Sequence, residues 1–230
     1  MENDKYRHEL KYLVSAAQIA ILRSRLSGLI PADSHAGADG RYTISSLYFD
    51  DLYDRCFYEN ENGVDPREKF RIRIYNHSTE RITLELKRKE RGKTLKRSAP
   101  LSPEQAKQLT LGQTVPDAED QPYLLRCLTK EMKQHMLRPV VIVEYERYPF
   151  VYKNGNVRIT FDTNISSSSE TALFLTGEYP HRPIMPSGLH LLEVKYDAYL
   201  PDFIYRALQL ENLQQTAFSK YYLCRKYGLR

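Results

Sequence analysis

Lysine and arginine alternate with apolar residues in the stretch KFRIRIY at residues 69–75. Side chains of a β-strand point alternately to its two faces, so this spacing predicts a strand with one cationic face and one apolar face. Arginine suits phosphate chemistry, because its planar guanidinium bridges two phosphate oxygens and stays protonated. A half-exposed strand whose charges simply face water has the same pattern. The stretch alone therefore leaves open both a phosphate site and a solvated surface.

Other predicted strands repeat this pattern. The same face carries, strand by strand, Arg7, Glu9 and Lys11; Lys69, Arg71 and Arg73; Glu85, Lys87 and Lys89; Tyr145 and Arg147; Arg158, Thr160 and Asp162; Glu193 and Lys195. These residues include ten bases and four acids, a formal charge of +6 compared with +5 for the whole chain. Solvated sheet faces usually mix signs, because like charges opposite each other on neighbouring strands destabilise the sheet. The positive charge is thus concentrated on one side of the sheet.

The strands that position these residues follow from alternation and turn signals. The sequence predicts strands at 6–14, 42–51, 69–75, 81–90, 94–101, 138–152, 157–165 and 190–197. It predicts helices at 15–30, 102–112, 123–136, 201–213 and 219–229, a helical turn in 51–63 and a loop at 166–188. No internal repeat or low-complexity linker indicates a second domain, so residues 1–230 are predicted to form one antiparallel barrel or sandwich with added helices.

Composition limits the class of protein. Three widely spaced cysteines without a CxxC pair predict reduced thiols rather than a disulfide framework or a zinc site. The charged start MENDKYRHELKY has no apolar signal segment, and no run is long enough to span a bilayer. These features predict a soluble protein of the cytoplasm.

The apolar strand faces need cover, which the predicted helices can supply. A sheet covered on its apolar face could close around the charged face and form a barrel with a cationic lumen, although an open sheet would have the same pattern. A lumen lined with like charges repels itself unless a polyanion or counter-ions fill it. Phosphate chains fit that description.

Eight short motifs in order resemble one known family. They are ELKY at 9–12, SLYFD at 46–50, FRIRIY at 70–75, LELKRK at 84–89, EYERY at 144–148, VRITFDTNI at 157–165, LLEVKYD at 191–197 and SKYYL at 219–223. Together they resemble the VTC domain, the polyphosphate-polymerase module of the triphosphate tunnel (CYTH-like) superfamily, over about residues 5–228. The resemblance implies an α+β fold, in which an antiparallel eight-stranded β-barrel encloses a tunnel and helices pack outside it.

The resemblance also implies roles for single residues. Those matching the tunnel bases and tyrosine that hold phosphate are Lys11, Arg71, Arg73, Lys87, Arg97, Tyr145, Arg147 and Lys220, with Ser219 preceding the last lysine. The inward-facing bases Lys89, Arg158 and Lys195 are expected to join them, while Lys220, Arg73 and Arg147 are expected to be catalytic. Glu193 matches a metal-binding glutamate. Glu9 matches the second glutamate of a first-strand ExExK motif, whose first glutamate is replaced by Arg7.

That replacement favours the VTC branch over a simple triphosphatase. We therefore expect a polyphosphate polymerase that uses ATP and Mn²⁺ or Mg²⁺ and transfers the γ-phosphoryl group to a growing inorganic polyphosphate chain. The alternatives are an inorganic or nucleoside triphosphatase, a binding module without turnover, and an RNA-binding protein, for which surface aromatics would be expected. The basic residues of this sequence are instead expected to line an enclosed lumen, so nucleic acid is not the expected partner. An export role would need a separate membrane-protein partner.

Overall fold

Nine strands form one antiparallel sheet in the computed structural model, which describes residues 6–37, 39–116, 118–210 and 213–228. The strands are β1 (His8–Ser15), β2 (Tyr42–Asp50), β3 (Arg67–Tyr75), β4 (Ser78–Glu90), β5 (Lys93–Leu101), β6 (Arg138–Tyr152), β7 (Val157–Ser168), β8 (Arg182–Pro183) and β9 (Leu189–Tyr196). Eight of them follow the order β1-β9-β7-β6-β2-β3-β4-β5, and the short β8 pairs with β7.

The sheet curls until its two edge strands meet. Arg7 and Thr94 exchange two backbone hydrogen bonds of 3.0 and 3.1 Å, which join the start of the chain to β5. Close by, the Thr94 hydroxyl donates to the Glu9 carboxylate at 3.1 Å. The predicted α+β class and eight-stranded antiparallel barrel are confirmed.

Six α-helices of the described residues pack around the sheet. They are α1 (Ala16–Ser27), α2 (Arg55–Glu61), α3 (Pro103–Thr110), α4 (Tyr123–His135), α5 (Asp202–Ala207) and α6 (Lys220–Lys226). Ser15 and Ser102 each begin a helix with a capping box, in which the serine hydroxyl and a glutamine three residues later exchange hydrogen bonds with the backbone. Both serines stand where the sequence predicts that a helix begins.

The helices cover the apolar side of the barrel wall. Leu84 of β4 and Ile72 of β3 pack with Leu109 of α3 and with Leu125 and Leu128 of α4 in one core cluster. A second cluster joins α1 and α5 to β7 and β9. Alternation along each strand therefore sends the neighbouring charged residues to the inner side of the wall.

Strand register decides which charges meet inside the barrel. Lys11 lies opposite Glu193, and Arg71 lies opposite Glu85, so each pair joins unlike charges. Lys69, however, lies opposite Lys87. Like charges in that arrangement destabilise a sheet unless nearby anions compensate them.

Two segments differ from expectation. The predicted loop at 166–188 contains the end of β7 and the short β8, which pairs with Ser166 and Ser167. The helix predicted for 201–213 ends at Ala207, because the chain turns at Leu208, and residues 211–212 lie outside the described residues. Both are polar or mixed segments in which tertiary contacts outweigh local periodicity.

The core contacts of Leu84 lead to a stability prediction. Leu84 is completely buried, so Leu84→Ala should lower the free energy of unfolding by about 2–5 kcal/mol through lost burial and a residual cavity. Arg81→Ala, at an exposed position of the same strand, should change it by less than about 0.5 kcal/mol. Urea unfolding of the three proteins measures both values. Equal stabilities for the two variants would contradict the assigned core.

Candidate phosphate site

A cavity of about 130 Å³ lies inside the barrel between the strands and α6. We call it the basic cavity, since ten of its described lining residues are lysine or arginine and two are glutamate. It is lined by Glu9, Lys11, Tyr48, Asn60, Arg67, Lys69, Arg71, Arg73, Lys87, Lys89, Tyr145, Arg147, Glu193, Lys195, Phe218, Ser219, Lys220 and Tyr221. Its charge and enclosure suit a polyanion.

Glu85 holds the two arginines of β3 in place. Its carboxylate accepts a hydrogen bond from Arg71 Nε at 2.7 Å and lies 3.5 Å from Arg73 Nη1. Lys96 Nζ reaches its other oxygen at 3.0 Å. Burial alone would raise the pKa of Glu85, but these cations hold it well below its ordinary value. Glu85 is therefore ionised and keeps both guanidinium groups directed at the basic cavity.

Asp162 holds Arg147 and Lys220 in place in the same way. Arg147 Nε and Nη2 donate to its two oxygens, each at 2.7 Å, and Lys220 Nζ lies 2.6 Å from Oδ2. Lys220 Nζ also donates to Glu193 at 2.7 Å. Burial would lower the pKa of Lys220, but these two carboxylates raise it above its ordinary value. Arg147 and Lys220 are thus fixed, protonated cations at the cavity wall.

Helix α6 brings Lys220 to the cavity from the far end of the chain. Ser219 caps this helix, since its hydroxyl accepts a hydrogen bond from the Tyr222 N–H at 3.2 Å. Next to Lys220, the Tyr221 hydroxyl donates to the buried Asp50 carboxylate. Arg225 forms an ion pair with Asp54. The segment from the end of β2 to α2 therefore anchors α6.

Glu9 collects the lysines on the opposite side of the cavity. Lys87 Nζ lies 3.0 Å from one carboxylate oxygen, and Lys195 and Lys11 lie 3.4 and 3.8 Å from the other. Burial raises the pKa of Glu9, yet the ammonium groups of Lys87, Lys11 and Lys195 bring it well below its ordinary value. Glu9 is therefore a carboxylate under neutral conditions.

Three side chains of the cavity have pKa values shifted by burial and by neighbouring charges. Burial lowers the pKa of Lys87 to about 7 and that of Lys69 to about 8. Burial raises the pKa of Tyr145, but Arg147, Arg73 and Lys220 lower it overall. Arg73 Nη2 lies 3.4 Å from the Tyr145 hydroxyl. An anion that entered the cavity would favour the protonated lysines.

Most of the residues predicted for the site converge on this cavity. Its lining includes Lys11, Arg71, Arg73, Lys87, Lys89, Tyr145, Arg147, Lys195, Ser219 and Lys220 from the predicted phosphate ligands, and both predicted metal ligands, Glu9 and Glu193.

Arg97 and Arg158 lie elsewhere. Arg97 pairs with Leu86, which packs in the outer core, so alternation places its side chain on the outer side of β5. Arg158 is drawn to the Asp33 carboxylate at 3.0 Å and the Tyr42 hydroxyl at 2.7 Å. Both predictions of cavity binding are therefore corrected.

Sequence reasoning missed several members of the site. Arg67 extends the alternation of β3 by two residues, so a longer reading of that strand would have found it. Lys96 lies near the turn before β5, where a lysine usually faces solvent, but it pairs with Glu85. Asn60 and Tyr221 gave no signal, since they arrive from helices whose positions only the tertiary fold determines.

Neither a complete metal cage nor a membrane helix is found in the described part of the chain. Within residues 6–37, 39–116, 118–210 and 213–228, no group of three or more His, Cys, Asp or Glu residues could hold a metal ion. None of the helices described there is long and apolar enough to cross a membrane.

An antiparallel barrel with a cationic interior is the class of protein that the fold and site define. The sequence model of the VTC domain matches residues 6–227. The chain therefore belongs to the VTC domain family, and the resemblance noted in the sequence is confirmed. No curated protein sequence matches the chain significantly.

The solved structures to which the chain is similar are distant in sequence. A protein of Pyrococcus horikoshii is 14% identical, with 98% of this chain and 100% of that chain covered and a TM-score of 0.49. A second protein of that organism is 12% identical, with coverage of 90% and 94% and a TM-score of 0.45. The triphosphatase of the Mimivirus capping enzyme is 10% identical, with coverage of 85% and 82% and a TM-score of 0.41.

The lowered pKa of Lys69 predicts that tripolyphosphate binding becomes weaker as the pH rises through about 8. In the free protein Lys69 loses its proton there, whereas a bound phosphate chain favours the charged ammonium, so binding takes up a proton above this pH. Lys69→Arg, which stays charged, should take up fewer protons and show a flatter pH profile.

Calorimetry above pH 8 in two buffers of different ionisation enthalpy measures the proton uptake. The protonation of the tripolyphosphate itself is the same for both proteins and cancels in the comparison. Lys107→Arg, at an exposed position of α3, is the matched control and should behave as the wild type. Identical proton uptake by wild type and Lys69→Arg would rule out a titrating Lys69.

Proposed function

We propose that this protein is a metal-dependent polyphosphate polymerase, which transfers the γ-phosphoryl group of ATP to a growing inorganic polyphosphate chain. The observation that carries the proposal is the basic cavity itself, in which Arg71, Arg73, Arg147 and Lys220 surround an enclosed space. Membership of the VTC domain family supports it. ATP and polyphosphate are accordingly the proposed substrates.

Phosphoryl transfer needs positioning and charge neutralisation more than covalent help from the protein. Arg73 and Arg147 present planar guanidinium groups that can each bridge two phosphate oxygens. Because Glu85 and Asp162 fix these groups from behind, they need little reorganisation when a phosphate chain arrives. Lys220 adds a point charge beside them. In this proposal the three cations hold the transferring phosphoryl group, and no protein nucleophile takes part.

Glu9 and Glu193 are the residues that would hold a divalent metal ion. Mg²⁺ and Mn²⁺ accept one or two carboxylates together with phosphate oxygens, so a pair of glutamates in a phosphate cavity fits such an ion without a complete protein cage. A bound metal would neutralise charge on the phosphate oxygens and orient them. The donor set favours either of these two hard cations and contains no sulfur ligand.

The cavity offers a route for the chain at its more open side. Lys89 is exposed, and Arg67 and Lys69 are half-buried beside it, so cations continue from the interior towards solvent. Electrostatic attraction along such a row would guide a polyanion inward or outward. We propose that the growing polyphosphate runs along these three residues.

Water could replace polyphosphate as the acceptor, which would make the protein a triphosphatase. A triphosphatase would be expected to have carboxylates available to activate water. Here Glu9, Glu85, Asp162 and Glu193 each form ion pairs with lysine or arginine. Because these carboxylates are paired, they support the polymerase over the triphosphatase. The same pairs hold the cations in defined positions, which supports turnover over binding alone.

Incubation with ATP and Mn²⁺, followed by separation of the phosphate products by length on a gel, tests the proposal. The wild type should make ADP and a ladder of long chains. Lys220→Ala should reduce chain synthesis by about a hundredfold or more, because a fixed cation at the reacting phosphates is lost. Arg73→Lys keeps the positive charge but loses the planar guanidinium that bridges two phosphate oxygens, so its chain synthesis should also be impaired. Lys107→Ala should retain full activity.

The alternatives produce other results in the same assay. Orthophosphate without chains would support the triphosphatase. Nucleotide binding without turnover would leave a binding module. Circular dichroism of each variant shows whether a loss of activity merely reflects a loss of fold.

A further inference from the structure

Glu193 is crowded by positive charge. Lys220 Nζ lies 2.7 Å from Oε1 and Lys195 Nζ lies 2.9 Å from Oε2. Arg147 Nη2 is 3.6 Å from Oε2, and Lys11 Nζ is 4.0 Å from Oε1. The two carboxylate oxygens proposed to bind a metal ion are therefore already the acceptors of two close ammonium groups.

Lys195 links the two proposed metal ligands. Its ammonium lies 3.4 Å from Glu9 as well as 2.9 Å from Glu193, so it stands between the carboxylates. A divalent cation bound to both glutamates would compete for this place. It would also be repelled by the remaining cations at distances of a few ångströms, where charge interactions in a protein are strong.

The cations around Glu193 differ in their freedom to move. Arg147 is held by two hydrogen bonds to Asp162, and its side chain is only 6% exposed. Lys195 is not held by a pair of hydrogen bonds to one carboxylate. Its side chain is 26% exposed, and its four-carbon stem is flexible. A phosphate chain in the basic cavity would offer its ammonium a new acceptor.

We propose that Lys195 acts as an internal competitor for the metal ion, so that a divalent cation binds Glu9 and Glu193 well only when phosphate draws the Lys195 ammonium away. The inference rests on the metal site of the proposed function. Coupling of this kind is reciprocal, so metal should strengthen phosphate binding by the same factor. Metal and phosphate would then enter together.

Titration of the protein with Mn²⁺, monitored through the electron paramagnetic resonance signal of the free ion, tests the competition without ATP or turnover. The wild type should bind Mn²⁺ weakly, and millimolar orthophosphate should tighten that binding. Orthophosphate itself binds a little Mn²⁺, and a titration without protein measures this contribution so that it can be subtracted. Lys195→Met removes the competitor and keeps the apolar stem, so it should bind Mn²⁺ about tenfold tighter or more without phosphate.

Two further variants define the site. Adding Glu193→Gln to Lys195→Met should abolish the gain, which locates the ion at Glu193. Lys133→Met, at an exposed position of α4, removes the same charge far from the cavity and should leave Mn²⁺ affinity unchanged.

Tight Mn²⁺ binding by the wild type without phosphate would overturn the inference, as would equal affinities for wild type and Lys195→Met. The gain in Lys195→Met would support it even if the ladder assay showed no polymerisation. Failure of the metal coupling with a normal ladder would leave the proposed function standing.

Discussion

Repulsion among like charges inside the barrel is the constraint that the rest of the structure must satisfy. Lys69 faces Lys87 across two neighbouring strands, and ten bases line one small cavity. Four carboxylates, three of them buried, offset part of this charge, and each is shared by at least two cations. Desolvation of the cations shows in the pKa values of Lys69 and Lys87, which burial lowers. Such an interior is costly unless a polyanion completes it, which is why the arrangement points to function rather than to stability.

The carboxylates divide the work between them. Glu85 and Asp162 are buried behind the arginines and fix their orientation, so they act as positioning residues. Glu9 and Glu193 line the cavity and are shared among lysines, whose flexible stems allow the pairs to rearrange. Rigid arginines and mobile lysines thus occupy one site, the first suited to holding phosphate in register and the second to exchanging partners.

Much of this architecture could be predicted from the alternation of residues. The cationic faces of β1, β3, β4 and β9 and the outer apolar faces follow from a period of two, and their convergence follows once the sheet curls. Arg97 shows the limit of the family resemblance that placed it in the tunnel, because it shares its face of β5 with the buried Leu95 and Ala99, and alternation alone places that face outside. Arg158 shows another, since its partner Asp33 lies in a loop distant in sequence. Contacts made by α2 and α6 depend on tertiary packing, which no local pattern encodes.

Arg73, Arg147 and Lys220 are proposed to hold, together, the phosphate that reacts. A crystal structure of the protein with Mn²⁺ and an ATP analogue whose β–γ bridge resists transfer would test this role most directly. We expect the γ-phosphate within hydrogen-bond distance of these three side chains, with the β-phosphate in the same cavity. Triphosphate density outside the barrel, or inside it but away from all three cations, would contradict the role proposed for them.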